Sequence, residues 1–403
     1  MQVLQCTETR SSLNPASRRW FFSSVMLIVH MPPELCDYTI DFLHDDMPSL
    51  KSCSLTCRSW TPATRFHLFR SVDIHSQHAC DGLYRLLRHS PYLGEMVRRL
   101  NISSLTVDAV KADKTAVPFS SVLTIVPPSL FGLLPNVKIL DVSVLTIDQA
   151  LCSQFIQNFT SVNELSLHGC FFASLKGFAE FVLSFPLLEA LSLHDVRWDS
   201  NESNDCRAAS NPSKLRSLTL GKGIDVSCLA KWLLLGYLCP GLESISACCS
   251  SEQDVIALSG LLKETYALQR CELSWYGFAS NDIIDLVPAF SLDACSSLQS
   301  VTLRCPVMYS QSLPWVTSLL ARLPAESIQA IDIELRLLGG IESIDWDYMG
   351  RILSGKSFRR LSSVAINAIT WSSVSQSPEE LQSFLCSHLS ALDCRGILHV
   401  SVR

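Results

Sequence analysis

Residues 162–194 read VNELSLHGCFFASLKGFAEFVLSFPLLEALSLH. Val162, Leu165 and Leu167 open this segment, and Leu188, Leu191 and Leu193 repeat the same aliphatic-x-x-aliphatic-x-aliphatic pattern near its end. The last two aliphatics of each pattern are two apart, so they share one face of a short strand. Between them, 175–183 carries apolar residues at helical spacing. A strand followed by a returning helix buries its apolar side only against another unit of the same kind.

The pattern extends in both directions. It stands at Val97/Leu100/Ile102, Val137/Leu140/Val142, Leu215/Leu218/Leu220, Leu242/Ile245/Ala247 and Leu268/Cys271/Leu273. It continues at Leu298/Val301/Leu303, Ile328/Ile331/Ile333, Leu361/Val364/Ile366 and Ile397/Val400/Val402, the last predicting a terminal strand. Successive starts from Val137 lie 25, 26, 27, 27, 26, 30, 30, 33 and 36 residues apart. The first five intervals fall in the range of leucine-rich repeats, ~20–29 residues. The Asn or Cys usual three residues after the last Leu is present only at Cys170. Segments 229–238, 256–262 and 381–389 also read as amphipathic helices. The expected fold is α/β: an irregular, curved leucine-rich-repeat solenoid over 76–403, with parallel strands on one face and helices on the other. Segments 106–128 and 199–212 are expected to be insertions on its rim.

The 403 residues are 48% hydrophobic and 17% charged with a net charge of −6, so the chain has the material for a large core and is not disordered overall. Nucleic acid is not an expected partner, because no cluster of Lys and Arg is present to displace counterions from phosphates. The 17 cysteines are scattered among apolar positions, among them Cys53, Cys57, Cys152, Cys295 and Cys386, which suits free buried thiols better than a disulfide scaffold. Asn101, Asn158 and Asn201 head Asn-x-Ser/Thr sequons, counter-evidence that favours a secreted chain but arises easily by chance where serine is abundant.

Residues 1–30 are expected to be a disordered leader, with a signal sequence as the alternative. The apolar run 20–29 after Arg18 and Arg19 is shorter than the ~20 residues a bilayer span needs. No membrane partner is expected.

Residues 31–72 read MPPELCDYTIDFLHDDMPSLKSCSLTCRSWTPATRFHLFRSV. Pro32 and Pro33 suit a helix start. Leu35, Cys36, Ile40, Phe42 and Leu43 then recur at helical spacing, with Asp37, Asp41 and Asp45 on the exposed side. Leu50, Cys53 and Cys57 mark a second helix, and Ala63, Phe66 and Phe69 a third opened by Thr61-Pro62. A bundle of about forty residues buries little by itself and needs cover from elsewhere. This stretch resembles an F-box, in the form common in fungal proteins. The likeness rests on Pro32, Glu34, Leu35, Ile40, Leu43, Leu50 and the run Leu55-Thr56-Cys57-Arg58-Ser59-Trp60. Met31 and Thr56 depart from the usual Leu and Val.

The resemblance implies three helices over 31–75 that dock a Skp-type adaptor and, through it, a cullin. Pro32, Leu35, Ile40, Leu43, Leu50, Cys57 and Trp60 are the expected adaptor-binding positions. The function so implied is a non-catalytic substrate receptor of an SCF-type ubiquitin ligase, cytoplasmic, nuclear or both. The alternative is an interaction scaffold acting outside a ligase.

The residues between the inward aliphatics are expected to face an unidentified protein substrate. They include Glu164, Ser166 and His168, Ser192 and His194, Thr219, Ser246, Glu272, Thr302, Asp332 and Glu334. His168 and His194 hold equivalent places in adjacent units, and Arg270 and Arg304 are expected to match with one unit between. Trp198, Trp275, Tyr276 and Trp371 follow strands and are candidate exposed anchors. Catalysis is not expected, since no Gly-rich phosphate loop, His-Glu-x-x-His or Gly-x-Ser-x-Gly motif is present. No cofactor or metal is expected; His75, His78 and Cys80 lack a fourth ligand at suitable spacing.

Overall fold

The computed structural model describes residues 32–103, 128–200, 214–236, 238–275, 290, 292, 295–307, 314–338, 341–370 and 377–403. The expected leader lies outside them, as do the expected insertions apart from Pro128 and residues 199–200. The chain divides into two compact units between Thr64 and Arg65.

The first unit contains α1 (Pro33–Asp41), α2 (Met47–Thr56) and the beginning of α3 (Thr61–Arg70). Prolines occupy the first turns of α1 and α2, where a missing amide costs nothing. Asp46 caps α2, its carboxylate accepting from the Ser49 amide at 3.1 Å and the Ser49 hydroxyl at 2.5 Å. Cys36, Ile40 and Leu50 are buried.

The second unit begins earlier than the 75/76 boundary read from the sequence, because β1 (Ser71–Ile74) is the first strand of its sheet. The signal was present: Phe69/Val72/Ile74 is the repeat pattern with an aromatic in first place, 28 residues before Val97. After β1 come α4 (Gln77–His89), β2 (Arg99–Ser103), α5 (Pro128–Phe131), β3 (Ile139–Ser143) and β4 (Thr146–Ile147). The next elements are α6 (Gln149–Asn158), β5 (Glu164–His168), β6 (Phe171–Ser174), α7 (Leu175–Leu183), β7 (Ala190–His194) and β8 (Arg197–Ser200). Then follow β9 (Ser217–Leu220), α8 (Val226–Leu235), β10 (Ser244–Cys249), α9 (Glu252–Lys263) and β11 (Arg270–Trp275). Strands β12 (Ser300–Val307), β13 (Ala330–Leu337), β14 (Ser363–Thr370) and β15 (Leu398–Val402) complete the series, with helices Pro314–Leu320, Trp346–Ser354 and Pro378–His388 between them.

Among the described residues, twelve strands form one sheet in the order β1-β2-β3-β5-β7-β9-β10-β11-β12-β13-β14-β15, and every pairing is parallel. This is the α/β repeat solenoid the periodicity predicts. Its register places the second aliphatic of each pattern in one continuous row. Leu100, Leu140, Leu165, Leu191, Leu218, Ile245, Cys271, Val301, Ile331 and Val364 pair in succession. The third aliphatics form a parallel row from Ile102 to Ile366. A slip of one residue would turn both rows to solvent, so burial holds the register.

The last strand departs from expectation. Val364 pairs with Leu398 rather than Val400, and Ile366 with Val400 rather than Val402. A shift of two residues keeps the same face inward. It is tolerated because β14 runs eight residues against five in β15, so the shorter strand has more than one apolar register available.

Serine or aspartate opens the repeat helices: Asp148, Ser174, Asp225, Ser251, Asp345 and Ser377 each accept a backbone amide in the first turn. Ser251 with Asp254, and Ser377 with Glu380, form full capping boxes.

A second, three-stranded parallel sheet, β4-β6-β8, follows three consecutive turns. In each turn a single residue sits in the left-handed region: Val144 (φ 55), Gly169 (φ 62) and Asp195 (φ 50). For a β-branched side chain that conformation costs about 1–2 kcal/mol. Val144→Gly is therefore expected to raise stability by roughly 0.5–1 kcal/mol after glycine's own entropy is counted. A urea midpoint unchanged or lowered by the substitution would contradict this.

The usual Asn/Cys place beyond the strand is filled variously. Cys170 keeps its Sγ–H donating to the Val142 carbonyl at 3.4 Å, while Leu145 and Val196 are simply buried and Gly223 and Ser250 stand there in later units. Burial pushes the Cys170 thiol up to about 12 and that of Cys152 to about 11. The described cysteines are free thiols, many of them core residues. Among the described residues, no helix is long and apolar enough to cross a membrane.

Candidate functional site

Helix α1 carries two apolar faces. Cys36, Ile40 and Leu43 recur at i, i+4 and i+7, and the first two are buried while Leu43 is half-buried. Leu35, Tyr38 and Phe42 recur at i, i+3 and i+7 on a different face, and all three are bare: 54%, 62% and 69% exposed. The Tyr38 and Phe42 rings meet edge-to-face at 4.8 Å. On α2, Leu55 is 88% exposed.

The expected adaptor positions therefore separate. Pro32, Leu35 and Cys57 are exposed, and Leu43 and Trp60 are half-buried. Ile40 and Leu50 have no exposed surface: they are core residues of the first unit, not contact residues. Phe42, expected among the inward residues, faces solvent instead. Sequence reasoning missed Tyr38, Phe42 and Leu55 as surface candidates. The signal was the second stripe itself, since a nine-residue helix turning one apolar face to its own core has no use for another.

The open face of the large sheet carries the other candidates. Ser166, Ser192, Thr219, Ser246, Glu272, Thr302 and Asp332 form one in-register row. His168 pairs with His194 on adjacent strands, as the repeat equivalence predicts, and their ring centroids lie 6.1 Å apart at 35°. Burial, with His168 beside it, holds the His194 imidazole below its ordinary pKa. The His194 ring lies over Gly221, where any Cβ would collide with it, so glycine is required beneath the ring.

Small side chains on β9, β10 and β11 line the middle of a cleft of about 640 Å³ in this face, which His168, His194, Lys222, Glu272 and Arg304 also line. Asp195, at the rim, is engaged by Arg197 at 2.8 and 3.0 Å. Arg304 bridges Glu272 at 3.0 Å and Glu334 at 3.4 Å, and Arg336 also pairs with Glu334 at 3.1 Å.

Arg270 and Arg304 are not equivalent. Arg270 pairs with Ser300 and Arg304 with Ser274, so they lie on neighbouring strands, four residues apart in register. The repeat pattern itself carries this register: Leu268 and Leu298 open equivalent, adjacent units, which sets Arg270 opposite Ser300 and Ser274 opposite Arg304. Trp275 is not an exposed anchor: it is 4% exposed, packed on buried Trp315 with ring centroids 4.4 Å apart. Trp198 is half-buried against Phe178. Tyr276 and Trp371 lie outside the described residues. Cys80 is buried while His75 and His78 are exposed, and among the described residues no three metal-ligating side chains converge.

No family model matches the chain, and no curated protein matches it. Similar solved structures include the crystal structure of a TLR13–ssRNA13 complex, 15% identical over 67% of this chain with a TM-score of 0.34. This chain spans 35% of that chain's length. They also include the crystal structure of the yeast Rad7 and Elc1 complex, 14% identical over 86% of this chain and 91% of that one, with a TM-score of 0.35. At such similarity neither carries an argument, and the fold assignment rests on the strand register above.

Proposed function

We propose that the chain is a non-catalytic substrate receptor of an SCF-type cullin–RING ubiquitin ligase, acting in the cytoplasm or nucleus. Its first unit docks a Skp-type adaptor and its open sheet face holds a protein substrate. The observation that supports this reading is the bare stripe Leu35, Tyr38 and Phe42 on a helix whose other apolar face is already buried. Three large apolar side chains left in water on one short helix mark an interaction surface. The same segment carries the F-box likeness, and a Skp-type adaptor is the partner that likeness implies. The sheet face suits binding rather than catalysis. Its charges are largely matched in pairs, and its floor is made of small hydroxyl side chains.

The alternative, an interaction scaffold outside a ligase, shares the sheet face and differs in its partners. The test is reconstitution of the full chain with a purified Skp-type adaptor and a cullin. A stoichiometric ternary complex that forms only through the adaptor supports the receptor. Absence of any adaptor complex sinks it, and an adaptor complex that never takes up cullin favours the scaffold.

A further inference from the structure

We propose that the cleft on the sheet face seats an anionic side chain of an extended peptide beside His168 and His194, and that binding takes up a proton on this histidine pair. The proposal rests on reading the sheet face as the partner-binding side, and it names the chemistry of that partner.

The cleft has the dimensions of a peptide site. From His168 on β5 to Arg304 on β12 the sheet takes five strand-to-strand steps. At ~4.8 Å per step this is about 24 Å, the length of roughly seven extended residues at ~3.3 Å each. Thr219, Ser244, Ser246 and Ser274 line the middle of the cleft, between the two histidines at one end and Glu272 and Arg304 at the other. Its hydroxyls supply hydrogen bonds without filling the space. No exposed aromatic lines it, so an apolar anchor is not what it takes.

Its charges assign the ligand. Asp195, Lys222, Glu272 and Arg304 line the cleft, two acids against two bases, and sum to zero while both imidazoles are neutral. Arg197 further occupies the Asp195 carboxylate, and Glu334 shares Arg304 with Glu272. Of the other groups near the pair, Glu164 lies at the far end of β5, and Cys248 on β10 has its thiol pKa raised by burial. Protonation of His168 or His194 therefore gives the cleft a net positive charge, and gives it at the end where Lys222 also lies.

Desolvation and the neighbouring His168 ring disfavour the protonated form of His194 and hold its pKa below the ordinary histidine value. An anion beside the rings reverses that balance, raises the imidazole pKa and draws a proton in. The sign follows from linkage: a complex that binds more protons than the free partners tightens as pH falls through the histidine range.

The test uses the full chain with histidine imidazoles followed by NMR. Three short blocked peptides are titrated at about pH 5.5 and 7.5, on either side of the ordinary histidine pKa: Gly-Ser-Glu-Ser-Gly, its phosphoserine counterpart, and its glutamine counterpart. At least one anionic peptide is expected to bind tenfold or more tightly at the lower pH, perturbing both histidine signals, while the glutamine peptide does not. Which anionic arm binds separates a carboxylate from a phosphate source. His168→Gln/His194→Gln is expected to abolish the pH dependence and leave adaptor binding unchanged. Affinity independent of pH, no binding of either anionic peptide, or a double variant that keeps the dependence would each overturn the proposal. Intact adaptor binding with no anion binding removes the cleft alone. Anion binding without adaptor binding removes the ligase reading and leaves the cleft.

Discussion

Replacing Leu35 and Phe42 together by aspartate is expected to weaken binding of a Skp-type adaptor at least a hundredfold while leaving the fold intact. Both side chains lie on the solvent side of α1, 54% and 69% exposed, so the free protein loses almost no packing. In a complex each would be buried, and full burial of a Leu or Phe contributes about 1.5–3 kcal/mol. Two such losses, with two carboxylates to desolvate besides, exceed 3 kcal/mol, and each ~1.4 kcal/mol is a factor of ten in affinity. Thermal unfolding should shift little, since surface changes away from special features are within about 0.5 kcal/mol. Ile40→Asp is the contrasting variant: with no exposed surface it should unfold the first unit and lose binding indirectly. The measurement is adaptor affinity by calorimetry beside a melting curve. Undiminished affinity in the folded double variant would remove α1 from the interface.

Phe155→Ala is expected to cost about 3–5 kcal/mol, the range for deleting a buried phenylalanine. Phe155 on α6 has no exposed surface and packs on Phe131, Phe159 and Phe181 at centroid distances of 5.3, 5.7 and 5.9 Å. These rings come from α5, from the residue after α6, and from α7, so the cluster ties neighbouring repeats together. In a solenoid each unit contacts mainly its neighbours, so the damage stays regional. Denaturation should split into two transitions, with hydrogen exchange accelerated around β3 to β7 and unchanged in β12 to β14. Phe155→Leu, which keeps most of the volume, should lose less than about 1.5 kcal/mol. A single cooperative transition, or a loss below 1 kcal/mol for the alanine variant, would show that the cluster does not hold these repeats.

Both expectations depend on features that differ in how far the sequence shows them. The sheet was legible almost strand by strand, since two aliphatics two apart can only share a face. Nine successive pairings follow that rule from Leu100 to Val364. Among the repeat helices, starts were legible for α7 alone; the apolar spacing places the others three or four residues late, at 229, 256 and 381, because the capping serine or aspartate and a partly polar first turn precede the apolar run. β1 went unread because an aromatic replaced the first aliphatic at Phe69. β4, β6 and β8 went unread because strands of two to four residues carry too little periodicity to register.

The site was legible in part. His168 and His194 each stand six residues after the first aliphatic of a unit and pair accordingly, whereas Arg270 and Arg304 stand two and six residues after theirs and do not. Trp275 shows the limit from another side, because its burial depends on Trp315, forty residues on.

In the first unit, the spacing of apolar residues identifies helix α1 and the fact that much of it is apolar. Spacing is a local, one-dimensional property, and it orients a side chain about its own helix axis. Whether that direction meets other atoms or water depends on how the other elements pack. Cys36 and Ile40 find cover, while Leu35, Tyr38 and Phe42 do not. The same holds for the cleft, whose small residues are ordinary in sequence and become a floor only when parallel pairing sets six strands side by side.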